Sequence, residues 1–349
     1  MEHVDVAVIG GGQSGLATAY ELIRRGLKPV VLEASDRAAG SWPCYYDSLT
    51  LFSPARYSSL PGMPFDGGDP DRYPHRDEVV AYLTSYAAHL DADIRTGSSV
   101  TEVHPDAAGF ILSLAGGGRL SARAVVAASG TFGRPHLPAL PGLEQFPGTV
   151  LHAADYRGPA SFAGQRIIVV EAGNSAVQIA AELATVAQVT LASRHPVKFA
   201  RQHVLGRDLH FWLKATGLDT APLGDLLRTP PGQPVIDEGR YRAALAAGMP
   251  DRRELFTALE DRKATWTDGT AEEIDVILLA TGYRPDLPYL TGLGALDATG
   301  RPRHRDGASL THPGPAFVGL EWQRSLSSNS LRGVGRDAAR AARRLAHRP

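Results

Sequence analysis

Only one of the 349 residues is a cysteine, Cys44. It cannot close an internal disulfide, and its solitude excludes any chemistry that needs a redox-active cysteine pair; packing as a small side chain is its expected role. Long apolar runs are equally absent. None approaches the roughly 18 residues that cross a bilayer. The start, Met1-Glu2-His3, leads straight into Val4-Asp5-Val6-Ala7-Val8-Ile9 without a basic flank or a cleavage site, so no membrane partner and a cytoplasmic location are expected. A surplus of either charge is missing too: 36 basic against 37 acidic side chains give a formal net charge of −1, no field to gather nucleic acid. No metal-ligand motif stands out, and no metal is expected. What remains is an ordinary globular composition, 43% apolar and 21% charged, on a chain long enough for two domains.

The chain opens as strand (Val4 to Ile9), glycine turn, helix (Ser14 to Arg25, closed by Gly26) and strand (Pro29 to Leu32). A second such unit begins at Ile167-Ile168-Val169-Val170, turns through Glu171-Ala172-Gly173-Asn174-Ser175-Ala176, runs a helix to about Ala187 and re-enters a strand at Val189 to Ala192. Short buried strands at Ala124 to Ala128 and Val276 to Ala280 each run into a small-residue turn, Ser129-Gly130-Thr131 and Thr281-Gly282-Tyr283. The tail, ending in a basic helix from Arg336 to about Ala346, is read as returning to the first unit. The stretch from Phe199 to about Lys263, with His210-Phe211-Trp212, Thr229-Pro230-Pro231 and Tyr241, fits this pattern poorly and reads as a cap. The expected fold is α/β, two Rossmann-like dinucleotide-binding domains with the second inserted into the first, bounded at 1–157, 158–275 and 276–349.

Gly10, Gly12 and Gly15 occupy G-x-G-x-x-G, with Ser14 opening the helix. One glycine allows the tight turn, one lets backbone approach a pyrophosphate, and one lets helix pack on strand, while the helix N-terminus faces the phosphates. Glu33, with Ala34 beside it, follows about 20 residues later at a strand end, where a carboxylate accepts from a ribose diol. In the second turn Gly173, Asn174 and Ser175 are the corresponding candidates. Two such sites in one chain favour a flavin, FAD, in the first and a nicotinamide in the second. The next strand ends on Ser193-Arg194-His195 with no acid for a 2′-hydroxyl, and Arg194 suits a 2′-phosphate. NADPH is therefore the expected donor, with NADH the alternative.

Phe146-Pro147-Gly148-Thr149-Val150-Leu151-His152-Ala153-Ala154-Asp155-Tyr156-Arg157 fits F-x-G-x-x-x-H-x-x-x-Y-R, and here the chain resembles the class B flavin-containing monooxygenases. The likeness runs through Gly40-Ser41-Trp42, Ala128-Ser129-Gly130, Ala280-Thr281-Gly282-Tyr283 and Gly319-Leu320-Glu321-Trp322-Gln323-Arg324, and is weakest from Phe199 to Lys263. The resemblance implies reduction of FAD by NADPH, reaction with O2 to a C4a-(hydro)peroxyflavin, and oxygenation of a small soft nucleophile or ketone. It implies further that His152, Tyr156 and Arg157 set the junction of the domains. Ser41, Trp42, Ser129 and Gly130 would lie at FAD, and the segment holding Gln323 and Asn329 over the flavin edge. A homodimer is compatible with the sequence. His210, Trp212 and Tyr241 are weighed for substrate contact, with core packing the favoured reading.

Two departures matter. The family carries an asparagine near the flavin's reactive face where this chain has Phe52, leaving backbone, NADP or Ser53 to hold an oxygen intermediate; substantial leakage to H2O2 is the expectation. Glu171 stands where the second fingerprint has its first glycine. A carboxylate about 5 Å from a phosphate, at an effective dielectric of about 20, costs roughly 3 kcal/mol, so weakened nicotinamide binding is expected. Phe52 keeps open an NAD(P)H oxidase or flavin reductase that releases H2O2, and Glu171 a flavin-binding redox sensor without turnover.

Overall fold

A computed structural model describes residues 1–227 and 232–347 of the chain. Two sheets organise it. In the first, Glu2–Ile9 lies parallel between Pro29–Leu32 and Arg119–Ala127, aligning Ile9 with Leu32 on one side and Ala127 on the other. Asp93–Arg95 extends this sheet beyond Pro29–Leu32, and Pro315–Phe317 extends it beyond Arg119–Ala127. Val6 to Ile9, Pro29–Leu32 and Ala124 to Ala127 are continuous apolar runs because both faces are covered. One face buries Val6, Val8 and Val31 against Leu16 and Leu22 of the helix Gln13–Ile23 and Val334 and Leu345 of the helix Leu331–Ala346. The other buries Ala7, Ile9 and Leu32 against Phe110, Leu112 and Leu290. Fully burying side chains of this size stabilises by about 1.5–3 kcal/mol each.

The second sheet is parallel throughout, in the order Asp251–Glu254, Gln188–Ser193, Arg166–Val170, Val276–Leu279, Thr149–His152. Two of its strands fall outside the expected 158–275 insert: Thr149–His152 precedes it and Val276–Leu279 follows it. Parallel pairing of Val276 with Ile167 and with Thr149 ties both strands to this sheet; we propose bounds that follow the sheet, from Thr149 to Leu279.

The final helix starts at Leu331, five residues before the expected Arg336. Gly333 and Gly335 weaken its sequence signal, but each sits where a Cβ has no room, 2.2 Å from Ser327 Oγ and 2.4 Å from Pro61 Cγ respectively. The stretch after Phe199 is more ordered than its sequence suggests. Phe199–Arg201 pairs with Val235–Asp237, a hairpin joins His203–Val204 to Arg207–Asp208, and Asp251–Glu254 completes the second sheet. Thr229-Pro230-Pro231 lies outside the described residues. Among the described residues no helix is long and apolar enough to cross a membrane, and no cluster of metal ligands forms.

Candidate active site at two glycine turns

In each sheet one strand, Glu2–Ile9 in the first and Arg166–Val170 in the second, ends in a turn held the same way. The Gly10 N–H donates to Leu32 O and the Glu171 N–H to Ala192 O, both at 2.8 Å. Gly10 has φ 106 and Glu171 φ 98. Gly12 (φ −82, ψ −170) and Gly173 (φ −81, ψ −178) then lead into the helices Gln13–Ile23 and Asn174–Leu183. Neither helix has a side-chain cap, so its first N–H groups stay open to an anion. The second turn thus keeps the form of the first although glutamate stands at the strained position, a backbone state that costs a non-glycine residue about 1–3 kcal/mol.

Close approach explains the first fingerprint. A Cβ on Gly10 would lie 2.7 Å from Ala128 O, and one on Gly15 only 1.8 Å from Gly10 O. Gly11 is equally constrained: its N–H donates to Glu33 Oε2 at 2.6 Å, and a Cβ there would come within 2.9 Å of the Glu33 side chain. Ser35 donates its N–H and its hydroxyl to Glu33 Oε1, each at 2.8 Å. Glu33 is therefore aimed before any ligand arrives, with one lone pair on Oε2 left for a ribose hydroxyl. Trp42 Nε1–H donates to Gln13 Oε1 at 3.0 Å and Gln13 Nε2–H to Asn329 O at 2.6 Å, tying the Gly40-Ser41-Trp42 segment, the turn and the tail together.

A cavity of about 890 Å³ runs past both turns. On the first side it is lined by Gly10, Gly12, Ser14, Glu33, Ala34, Ser41 and Trp42, with Ser129, Gly130 and Asn329. Gly173, Asn174 and Ser175 line it on the second side, and Phe52 and Ser53 on a connecting loop. Gly15, Arg194 and Gln323 are not on it. Gly15 is buried beneath the turn, Arg194 is exposed at its strand end, and Gln323 is 3% exposed with its amide on Phe317 O and the Leu320 N–H. Asn174 lines the cavity but its amide is committed elsewhere, donating to Pro234 O at 3.2 Å and accepting from the Ile236 N–H at 3.3 Å. Ser53 is buried with its hydroxyl on Ser58.

Phe52 is braced from behind. Its ring stacks on His210 with centroids 6.0 Å apart, and its carbonyl accepts from Gln202 Nε2 at 3.0 Å. Gln202 and Tyr73 donate to Asp208 Oδ2 at 2.6 and 2.7 Å, while Asp208 Oδ1 meets His210 Nδ1 at 2.8 Å. Burial alone would raise the Asp208 carboxyl; the bonds from His210, Gln202 and Tyr73 outweigh it and hold the carboxyl at about 2. His210, Trp212 and Tyr241 are all absent from the cavity wall.

His152 is buried, its Nε2–H donating to Gly282 O at 3.1 Å while Nδ1 accepts from the Ala154 N–H; burial pushes its pKa down. Tyr156 donates its hydroxyl to Glu182 at 2.8 Å, and Arg157 donates to Ala154 O. The His152 bond stitches the strand end Thr149–His152 to the turn at Gly282, and the Tyr156 bond ties the following segment to the helix Asn174–Leu183. Sequence reasoning overlooked Gln13, Tyr45, Phe132, Gln178 and Tyr283, which all line the cavity. Gln178 was within reach of it, lying one helical turn beyond Asn174 on the same face; Tyr46 donates to its Oε1 at 2.5 Å.

The pyridine nucleotide-disulphide oxidoreductase family matches residues 7–217. The chain belongs to that family. Within it the likeness is to monooxygenases. A flavin-containing monooxygenase from Stenotrophomonas maltophilia is 33% identical and superposes with a TM-score of 0.87 over 99% of this chain and 98% of its own. An uncharacterized CzcO-like oxidoreductase from Geobacillus kaustophilus is 31% identical over 97% of each chain. Rice indole-3-pyruvate monooxygenase YUCCA1 is 32% identical over 80% of this chain and 77% of its own. The chain is a class B-like flavoprotein monooxygenase. Its single cysteine separates this member of the pyridine nucleotide-disulphide oxidoreductases from any that work through a cysteine pair.

The residues present suit FAD. The uncapped turn at Gly12, the pre-aimed Glu33 and the Gly12 to Gly40 approach, where a Cβ on Gly40 would lie 2.8 Å from Gly12 Cα, form a cradle that only bare backbone can line. The second turn suits a nicotinamide dinucleotide in backbone form, with Glu171 its one discordant side chain.

Proposed function

We propose that this protein is an NADPH-dependent FAD monooxygenase that oxygenates a small soft nucleophile or ketone. The observation that carries the reading is one cavity served by two uncapped glycine turns of matching backbone. FAD bound at the first turn would supply the two-electron relay between nicotinamide and O2. Gly10 and Gly12 admit its pyrophosphate to the helix N-terminus, and Glu33 accepts from the ribose. Gly173 and Ser175 receive NADPH, with exposed Arg194 at the strand end reaching its 2′-phosphate. Trp42, Gln13 and Asn329 hold the walls together at the first turn. In the net reaction one atom of O2 is inserted into the substrate and the other leaves as water, the two electrons and one proton coming from NADPH and the second proton from solvent.

Phe52 supports a second reading, an NADPH oxidase. Its ring supplies no hydrogen-bond donor to the cavity, and its brace of Gln202, Asp208 and His210 fixes it there. Anaerobic mixing with NADPH separates both enzymatic readings from a sensor: the yellow holoprotein should bleach within seconds, and a colour that persists contradicts turnover. Supplying O2 and a thioether then separates the two enzymes, sulfoxide favouring the monooxygenase and quantitative H2O2 the oxidase.

A further inference from the structure

One stretch of the cavity wall, joined to the first glycine turn only through Trp42, is aromatic. Trp42, Tyr45, Phe132, Tyr283 and His152 form a continuous series of edge-to-face rings, with centroids 5.4, 6.2, 5.3 and 4.9 Å apart and planes at 85, 88, 85 and 85°. The first four line the cavity, and the series links the first half of the chain to the turn after Val276–Leu279. Phe132 stands in its middle and is 46% exposed, an apolar ring left facing the space. Edge-to-face packing fixes the orientation of each ring, so the wall is preformed for another aromatic group.

The polar groups around this wall point one way. Thr131, next to Phe132, lines the cavity at 8% exposure, and its hydroxyl is buried without a partner. Burial raises the Tyr283 hydroxyl, which stays protonated. Asp286 packs against Gly133, where a Cβ would come within 2.8 Å of its own Cβ, and lines the same cavity. The ionisable lining among the described residues is otherwise Glu33, Glu171 and Glu321 against a single guanidinium, Arg332, whose Nε–H is already on Asp219 at 3.0 Å. Beside Phe132 a ligand carboxylate would meet Asp286 and no cation among the described lining residues but the engaged Arg332, whereas an ammonium would meet the Tyr283 hydroxyl and the Asp286 carboxylate.

We infer that the Tyr45, Phe132 and Tyr283 wall with Asp286 is a substrate subsite for an aromatic group bearing a neutral or cationic arm, and that it discriminates against aromatic carboxylates. The inference rests on the monooxygenase reading and deepens it. It also parts this protein from its rice relative, whose named substrate, indole-3-pyruvate, carries a carboxylate.

A matched thioether series tests it: 4-(methylthio)benzylamine, 4-(methylthio)benzyl alcohol, 4-(methylthio)benzoate and butyl methyl sulfide. Binding to the FAD-loaded protein is measured by calorimetry, and sulfoxide formation in parallel. Amine and alcohol should bind about ten-fold tighter than the benzoate, and the alcohol about five-fold tighter than the aliphatic sulfide. Phe132→Ala should erase the preference for aryl over alkyl, and Asp286→Asn should narrow that of amine over benzoate. Both positions are exposed, and the flavin spectrum checks that each variant is loaded. Equal binding of benzoate and amine overturns the inference, as does an unchanged aryl preference in Phe132→Ala. Should the four bind in the expected order without sulfoxide appearing, the subsite stands and the monooxygenase reading falls. Should all be oxygenated with equal affinity, the reading stands and the subsite falls.

Discussion

Glu171 concentrates the chemistry of this protein into one residue. Its sequence position marked it as foreign to a glycine turn, yet the backbone there copies Gly10 within a few degrees, at φ 98 against 106. What the sequence could not reveal is that the turn survives: conformation is a backbone property, and the substitution reports only the side chain. Replacing Glu171 by glycine removes both the strain and a carboxylate from the cavity wall. Relief of strain, partly offset by glycine's greater freedom in the unfolded chain, should stabilise by about 1 kcal/mol, read as a higher urea midpoint. With the carboxylate about 5 Å from the phosphate, the NADPH dissociation constant should fall about a hundred-fold; equal constants for the two proteins would contradict the electrostatic part. Arg194→Ala should weaken NADPH about ten-fold and NADH hardly at all, a contrast visible in the two Michaelis constants.

At the scale of elements, legibility followed the apolar pattern. The runs Val6 to Ile9, Ile167 to Val170 and Val276–Leu279 are buried and were readable as strands. Asp251–Glu254 was not: an edge strand written Asp-Arg-Arg-Glu carries no hydrophobic signal, its charges facing solvent as edge strands require. Partners far apart in sequence were equally hidden. Nothing local announces that the Asn174 amide binds Pro234 and Ile236. The hairpin and helix after Phe199 read as a cap; in the fold they clasp the Phe52 loop through Gln202, Asp208 and His210, and the tail through Asp219, whose carboxylate takes Arg332 and whose carbonyl takes Ser327. Because the Asp208 carboxyl sits at about 2, below its ordinary value, its stabilisation is full above about pH 4 and fades as the pH falls through 2. Asp208→Asn should therefore cost about 2 kcal/mol at neutral pH and converge with the parent in acid. A constant difference down to pH 2 would show that packing, not the charge, holds the loop.

The whole molecule has two nucleotide folds whose strand ends open on one cavity, an arrangement in which ligands meet at the carboxyl ends of parallel strands. Its outline was visible in the sequence because both fingerprints are local and short. The cavity's character was not, since the aromatic wall draws Trp42 with Tyr45, Phe132, His152 and Tyr283 from four separate segments. We propose that Phe52 and its brace limit efficiency, so that NADPH oxidation should outrun substrate oxygenation, measured as H2O2 released per NADPH consumed. The central claim is oxygen transfer itself. Turnover of the FAD-loaded protein with NADPH, a thioether and ¹⁸O₂ measures it directly: the account predicts one ¹⁸O atom in each sulfoxide formed, with H2O2 making up the remaining NADPH. Sulfoxide without the label, or every NADPH recovered as H2O2 across sulfides, amines and ketones, would contradict it.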